Sequence, residues 1–255
     1  MVFCDFHAHL SFFDEKHAVS FFSSDSQFYV CSCASTQEEF ELQNRIASHF
    51  PGNVIQSFGS HPFSPREEDV EMLEFLAQGK KIFCVGECGC DAFTPELRGN
   101  LEMQEKVFRM QLDVAVKYGL PVVIHNRKSL ETIFRNSSVL SKCKCVVFHG
   151  FSFGLREAGE ILRRIPNSYF SFGKNLLKKS PKSLECICSL PFSNIALETD
   201  APFMTLKNES RTELSDIKLV YESCATATGI PMDEISEMLF CNFKKCFFSE
   251  NNYKI

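Results

Sequence analysis

Tryptophan is absent from the 255 residues, and aromatic mass is carried instead by 27 phenylalanines, most of which fall in strand or helix patterns and are expected in the core. No stretch approaches the roughly 18 uninterrupted apolar residues of a membrane helix, so no membrane partner is expected. The N-terminus lacks a basic region followed by an apolar stretch and a small-residue cleavage site, which argues against a secretory leader. A glycine-rich nucleotide loop with its Lys and Ser/Thr is missing, and with it any support for ATP chemistry. Flexible linkers, long repeats and low-complexity segments are also missing. Positive charge is not in excess: the formal net charge is -5, so affinity for nucleic acid must come from local charge or bound cations.

Cysteine, by contrast, is plentiful. The 13 residues are odd in number and scattered, several inside apolar runs such as Phe83-Cys84-Val85, so they read as buried free thiols. The pairs Cys31/Cys33, Cys88/Cys90, Cys143/Cys145 and Cys186/Cys188 are spaced too closely for zinc knuckles. A reducing cytoplasm is the natural setting. With 44% hydrophobic and 23% charged residues the chain can bury a large core, and one domain over residues 1–255 is expected.

Eight short β-rich runs alternate with amphipathic segments, a rhythm that argues for repeated βα units and a mostly parallel sheet. The runs are Val2 to Phe6, Phe28 to Cys33, Val54 to Phe58, Ile82 to Gly86, Pro121 to His125, Cys145 to Phe148, Tyr169 to Phe172 and Ile195 to Glu198. Helices are expected over Leu101 to Tyr118, Ser129 to Val139, Leu155 to Arg164, Pro181 to Ser189, Glu213 to Thr228 and Met232 to Phe247. The clearest is the first, where Phe108, Leu112 and Ala115 recur at helical spacing before Gly119. The fold class implied is a (β/α)8 TIM barrel.

Chemistry gathers at the ends of these runs. Asp5-Phe6-His7-Ala8-His9 closes the first, and strand alternation places positions 5, 7 and 9 on one side, where Asp5 could orient an imidazole. Glu87, His125, His149 and Asp200 follow or end other runs. In a parallel barrel the strand C-termini share one face, so these residues meet there as candidate ligands for divalent cations. His17 and His49 have no strand-end setting and read as surface histidines.

The ordered motifs Asp5-Phe6-His7-Ala8-His9, Gly59-Ser60-His61-Pro62, Val85-Gly86-Glu87-Cys88-Gly89-Cys90-Asp91, Pro121-Val122-Val123-Ile124-His125-Asn126-Arg127, His149-Gly150-Phe151-Ser152 and Leu197-Glu198-Thr199-Asp200-Ala201-Pro202 resemble those of the TatD family of metal-dependent hydrolases. The resemblance runs through nearly the whole chain and implies two divalent metal ions (Mg, Mn or Zn). His7, His9, Glu87 and Asp200 would hold one, and Glu87, His125 and His149 the other, with Glu87 bridging. Glu87 and Asp200 would also be catalytic, Asp200 orienting the attacking water. His61 would face substrate or water, and Asp91 and Glu198 would orient ligands. Arg127 either contacts phosphate or pairs with a carboxylate such as Glu198 or Asp91. The Gly173-to-Ser180 stretch, with Lys174, either grips a nucleic-acid backbone or is a solvated basic turn. Among Phe12, Phe13, Phe151, Phe153 and Phe203, one or two could stack on a base, although packing is the simpler reading for each.

The family implies a DNase or 3′-to-5′ exonuclease acting on single-stranded DNA, with RNA also open as a substrate and no obligate protein partner. Two alternatives remain: a metal-dependent ester or amide hydrolase such as a D-aminoacyl-tRNA deacylase, and a catalytically silent binding barrel. Departures from the pattern are Cys90 in place of Leu, Phe153 in place of Gly, and a Leu206 to Glu213 stretch lacking the usual Arg-Asn-Glu-Pro-like run. They bear on the pocket mouth and leave all six proposed ligands in place.

Overall fold

A computed structural model describes residues 1–24 and 27–248. Residues 25–26 and 249–255, which fall within the domain expected over 1–255, lie outside them. Eight parallel strands pair in sequence order: β1 (Phe3–Ala8), β2 (Phe28–Ala34), β3 (Val54–Phe58), β4 (Cys84–Asp91), β5 (Val122–Arg127), β6 (Val146–Phe148), β7 (Ser168–Phe172) and β8 (Ile195–Leu197). The helices are α1 (Glu15–Ser24), α2 (Gln37–His49), α3 (Glu67–Gln78), α4 (Pro95–Gly99), α5 (Leu101–Tyr118), α6 (Leu130–Arg135), α7 (Ser137–Leu140), α8 (Leu155–Arg164), α9 (Pro181–Ser189), α10 (Ile217–Thr228) and α11 (Met232–Phe247). This is the (β/α)8 barrel that the strand rhythm implies.

Four expected helices keep their bounds as α5, α8, α9 and α11. The expected Ser129 to Val139 helix breaks at Asn136, whose Nδ2 donates to Thr132 O at 2.9 Å, and so becomes α6 and α7. Glu213 to Thr228 opens with a 3-10 turn, Leu214–Asp216, before α10. Strand β4 is longer than Ile82 to Gly86, because its polar end keeps pairing with β5 as far as Asp91.

Alternation along the strands feeds two apolar clusters. Val30, Phe58, Ile124, Phe148 and Leu197 pack outward against the helices. Cys31, Cys84, Val123, Cys145 and Ala196 fill the barrel interior. Phe243, Cys246 and Phe247 of α11 join the interior cluster, and Phe243 meets Phe6 edge-on at 5.1 Å. The end of the barrel where the strands begin is thus plugged, leaving the C-terminal rim for the site.

The seam between β8 and β1 is closed partly by side chains. Asp200 N donates to His7 O (3.0 Å) and His9 N to Ala201 O (2.8 Å) near the rim. Below them Asp5 accepts from Thr199 N (3.0 Å) and Thr199 Oγ1 (2.6 Å). Lower still, the buried Tyr221 hydroxyl of α10 accepts from Cys4 N at 3.0 Å and donates to Cys4 O at 3.3 Å, standing in for a neighbouring strand. Tyr221→Phe leaves both backbone groups buried and unpaired, and should lower stability by about 1–3 kcal/mol. Urea unfolding would read this as a lower midpoint at unchanged slope; an unaltered midpoint would refute the seam's dependence on that hydroxyl.

Candidate metal centre

The cluster is built from the rim inward. Strand β1 shifts register between Asp5 and Ala8, and the bulge parts Asp5 from the two histidines. Asp5 therefore touches neither imidazole, correcting the expectation that it orients a ring; besides Thr199 it receives His7 N at 3.2 Å. Burial pushes its carboxyl up to about 7. The ring contacts come instead from Cys33, whose Sγ lies 3.4 Å from His7 Nδ1 and whose carbonyl O lies 3.2 Å from His9 Nδ1.

Strand β4 carries Glu87, and Gly89 lets it run close to β5: its φ is +138°, and an added Cβ would sit 2.1 Å from His125 O. Helix α5 supplies two buried amides. Gln111 Oε1 accepts from Ser60 N and its Nε2 donates to Ser60 O, fixing the backbone beside His61. Gln104 Oε1 accepts from Asp91 N. Asp91 in turn holds His125, with Oδ2 2.9 Å from Nε2.

Glu87 is buried with one carboxylate oxygen facing each side of the cluster. Oε2 lies 3.3 Å from His7 Nε2 and 3.4 Å from His9 Nε2. Oε1 lies 2.8 Å from both His125 Nδ1 and His149 Nε2, and 3.3 Å from His61 Nε2. Asp200 Oδ1 completes the first side, 3.2 Å from His7 Nε2 and 3.5 Å from His9 Nε2. Three donor groups result, namely His7, His9 and Asp200; His7, Glu87 and His149; and His61, Glu87 and His125. His61, expected as a substrate contact, stands within the donor cluster itself. Asp200 holds its place with φ +55°, a left-handed conformation that a non-glycine residue adopts only under constraint. Glu198 is buried, accepts Gly150 N at 2.6 Å, and lies 3.6 Å from His149 Nδ1.

These donors fit cations. Although only 3.2 Å apart, His7 Nε2 and Asp200 Oδ1 are buried without a hydrogen-bond partner of good geometry, as donors aimed at a metal would be. Imidazole and carboxylate suit zinc, manganese or magnesium.

The cleft above has a volume of about 1090 Å³. Arg127 lines it without an ion pair to Asp91 or Glu198; its guanidinium lies 4.0 Å from the centre of the Phe93 ring. Lys174 is no substrate contact. It is fully buried, its Nζ 2.6 Å from Glu209 and 2.7 Å from Asp216, so it ties the loop after β7 to the loop after β8. Phe12 and Phe203 are exposed at the cleft, while Phe13 and Phe151 are core. His17 and His49 are exposed, pairing with Glu213 and Glu15.

Sequence reasoning missed Cys33, Gln104, Gln111, Phe63 and Phe93. For the glutamines a signal was present: Gln104, Phe108, Gln111 and Ala115 share one helical stripe, and an amide on an otherwise apolar stripe is a buried amide with a partner.

Such a barrel, with imidazoles and carboxylates converging at its strand ends, defines a hydrolase scaffold for divalent cations. Residues 4–248 match the family described as TatD related DNase, and the chain belongs to this family of metal-dependent hydrolases. It is 29% identical over 203 residues to the uncharacterized metal-dependent hydrolase YabD of Bacillus subtilis, covering 76% of this chain and 77% of that one. Identity to the putative deoxyribonuclease tatdn3 of Danio rerio is 29% over 222 residues, 82% of each chain. The crystal structure of the TatD homologue YjjV from Escherichia coli shares the fold with a TM-score of 0.85 at 24% identity, over 97% of this chain and 98% of that one.

Charge within the cluster has a measurable consequence. Burial opposes a charged ring at His9, but Asp200 and Glu87 overcome it and hold its pKa at about 9. At His149 burial is likewise outweighed, chiefly by Glu87, and the pKa is about 10. Burial would raise Glu87 and Asp200, yet the surrounding imidazoles hold both below the usual carboxylate range. These raised histidine values mean that the stability these ion pairs give the cation-free protein is fully present below about pH 6.5 and is lost as pH rises through 9 to 10. Cations bind neutral imidazole, so binding at pH 7 should release protons and tighten as pH rises toward 9. Calorimetry of zinc or manganese binding in buffers of different ionisation enthalpy checks this; enthalpy independent of buffer would contradict it.

Proposed function

We propose that this chain is a divalent-metal-dependent DNase that removes nucleotides from the 3′ end of single-stranded DNA, with RNA as a further substrate, working as one domain in the reducing cytoplasm. The observation that carries the metal chemistry is Glu87, whose two oxygens face separate histidine sets. His7, His9, Glu87 and Asp200 would hold one cation, and Glu87, His125 and His149 the second, with His61 in reach of the latter. Bound there, divalent cations supply Lewis-acid polarisation of a phosphate oxygen and a water that ionises near neutral pH.

The remaining work belongs to the chain. Asp200 Oδ1, buried and turned into the cluster, orients the attacking water and accepts its proton. Asp91 keeps His125 from rotating. Glu198 fixes the backbone beside His149. Arg127, which makes no ion pair among the described residues, holds a phosphate. The plug beneath the cluster excludes water from below. The free thiols support a reducing compartment, since Cys188 and Cys241 are exposed and unpaired.

The same site could hydrolyse an ester or amide, so a 3′-labelled oligonucleotide and a D-aminoacyl-tRNA should be assayed together. Protein stripped of metal should regain oligonucleotide cleavage on addition of Mg, Mn or Zn, and Glu87→Ala should lose at least about a hundredfold in kcat. Deacylation without oligonucleotide cleavage would replace the DNase reading, and unchanged turnover in Glu87→Ala would remove the bridge. Inactivity toward both substrates despite tight metal binding would favour a silent barrel.

A further inference from the structure

Five phenylalanines are exposed among the described residues; three of them, Phe12, Phe63 and Phe203, line this one cleft, and a fourth, Phe93, packs against Arg127, which lines it too. Phenyl rings left in water forgo burial, and their concentration at a single opening marks a recognition surface. They form stations. Phe12 and Phe203 meet edge-on at 5.2 Å, and Phe203 stands 5.2 Å from His9. These two follow β1 and β8. Phe93 follows β4 and carries Arg127 of β5 at 4.0 Å and Lys128 at 4.7 Å from its ring centre. In an eight-stranded barrel the β8–β1 and β4–β5 sectors are diametrically opposite, so the donor cluster lies between the two stations. Phe63, 4.4 Å from His61, flanks the cluster from the loop after β3.

Charge distinguishes the stations. Cations gather at Phe93, whereas the Lys and Arg lining the cleft are otherwise only Arg66 among the described residues. Arg66 faces Glu68 and Asp69. No Lys or Arg among the described residues lining the cleft stands at the Phe12–Phe203 station, whose apolar surface suits the end of a strand.

We propose that the stations stack the bases on either side of the scissile phosphate: Phe12 and Phe203 take the terminal base, while Phe93, with Arg127 and Lys128, takes the penultimate base and its backbone. This rests on the DNase reading above. Aromatic faces accept every base, so recognition requires that a base be present while tolerating its identity.

The experiment pairs protein variants with single-stranded DNA oligonucleotides in which the 3′-terminal or the penultimate nucleotide is abasic, using manganese-loaded protein. Phe203→Leu should lower kcat/KM on the intact oligonucleotide by about five- to a hundredfold, the range expected for one lost stack. It should cost nothing further when the terminal base is missing, yet keep its full cost when the penultimate base is missing. Phe93→Leu should show the reverse, and Phe203→Tyr should restore cleavage. Phe75→Leu, on α3 outside the cleft, should match wild type throughout. Manganese affinity equal to wild type in each variant separates base recognition from structural damage. Equal losses on intact and abasic oligonucleotides, or no loss, would overturn the stacking assignment alone; failure of the wild-type protein to cleave any oligonucleotide would overturn the DNase reading and this inference with it.

Discussion

One buried carboxylate among five imidazoles sets the terms for the rest of the molecule. Moving Glu87 out of water costs several kcal/mol unless charge and hydrogen bonding replace its hydration. His7, His9, His61, His125 and His149 supply that replacement, each within 3.4 Å of a Glu87 oxygen. Such convergence demands that five strand exits be held to a fraction of an ångström. The supporting residues accordingly sit just behind the cluster: Gly89 where β4 crowds β5, Gln111 behind the His61 loop, Gln104 and Asp91 behind His125.

The scaffold was legible because a parallel barrel repeats a simple pattern. Strand and helix periods alternate, and acidic and histidine residues recur at the strand ends. The cluster was legible for the same reason, since the barrel brings every such end to one rim. What escaped notice depends on irregularity or on contacts remote in sequence. The bulge in β1 breaks the alternation that would have aligned Asp5 with His7. Lys174 sits in a lysine-bearing stretch that looks solvated, and only the fold reveals the two acids that receive it from the loop after β8. Phe63 and Phe93 are indistinguishable in sequence from core phenylalanines, because exposure at a loop tip leaves no periodic trace.

Electrostatics and shape share the labour. The acidic balance of the chain does not extend to every part of it: Arg127 and Lys128 gather local positive charge at the Phe93 ring, beside the histidine cluster. The Lys174 tie acts elsewhere, bracing the loop that presents Phe203 and Met204 to the cleft without offering charge to it.

The seam between first and last strands bears on biosynthesis. Asp5 and Thr199 are 194 residues apart, and Tyr221 is farther still along the chain from the strand it completes. A ribosome-bound nascent chain that has exposed only the residues before β8 holds His7 and His9 without Asp200, and an Asp5 without the Thr199 hydroxyl that donates to it. The donor cluster is thereby complete only once the chain has reached Asp200, and a product truncated before that residue would lack the carboxylate that faces His7 and His9.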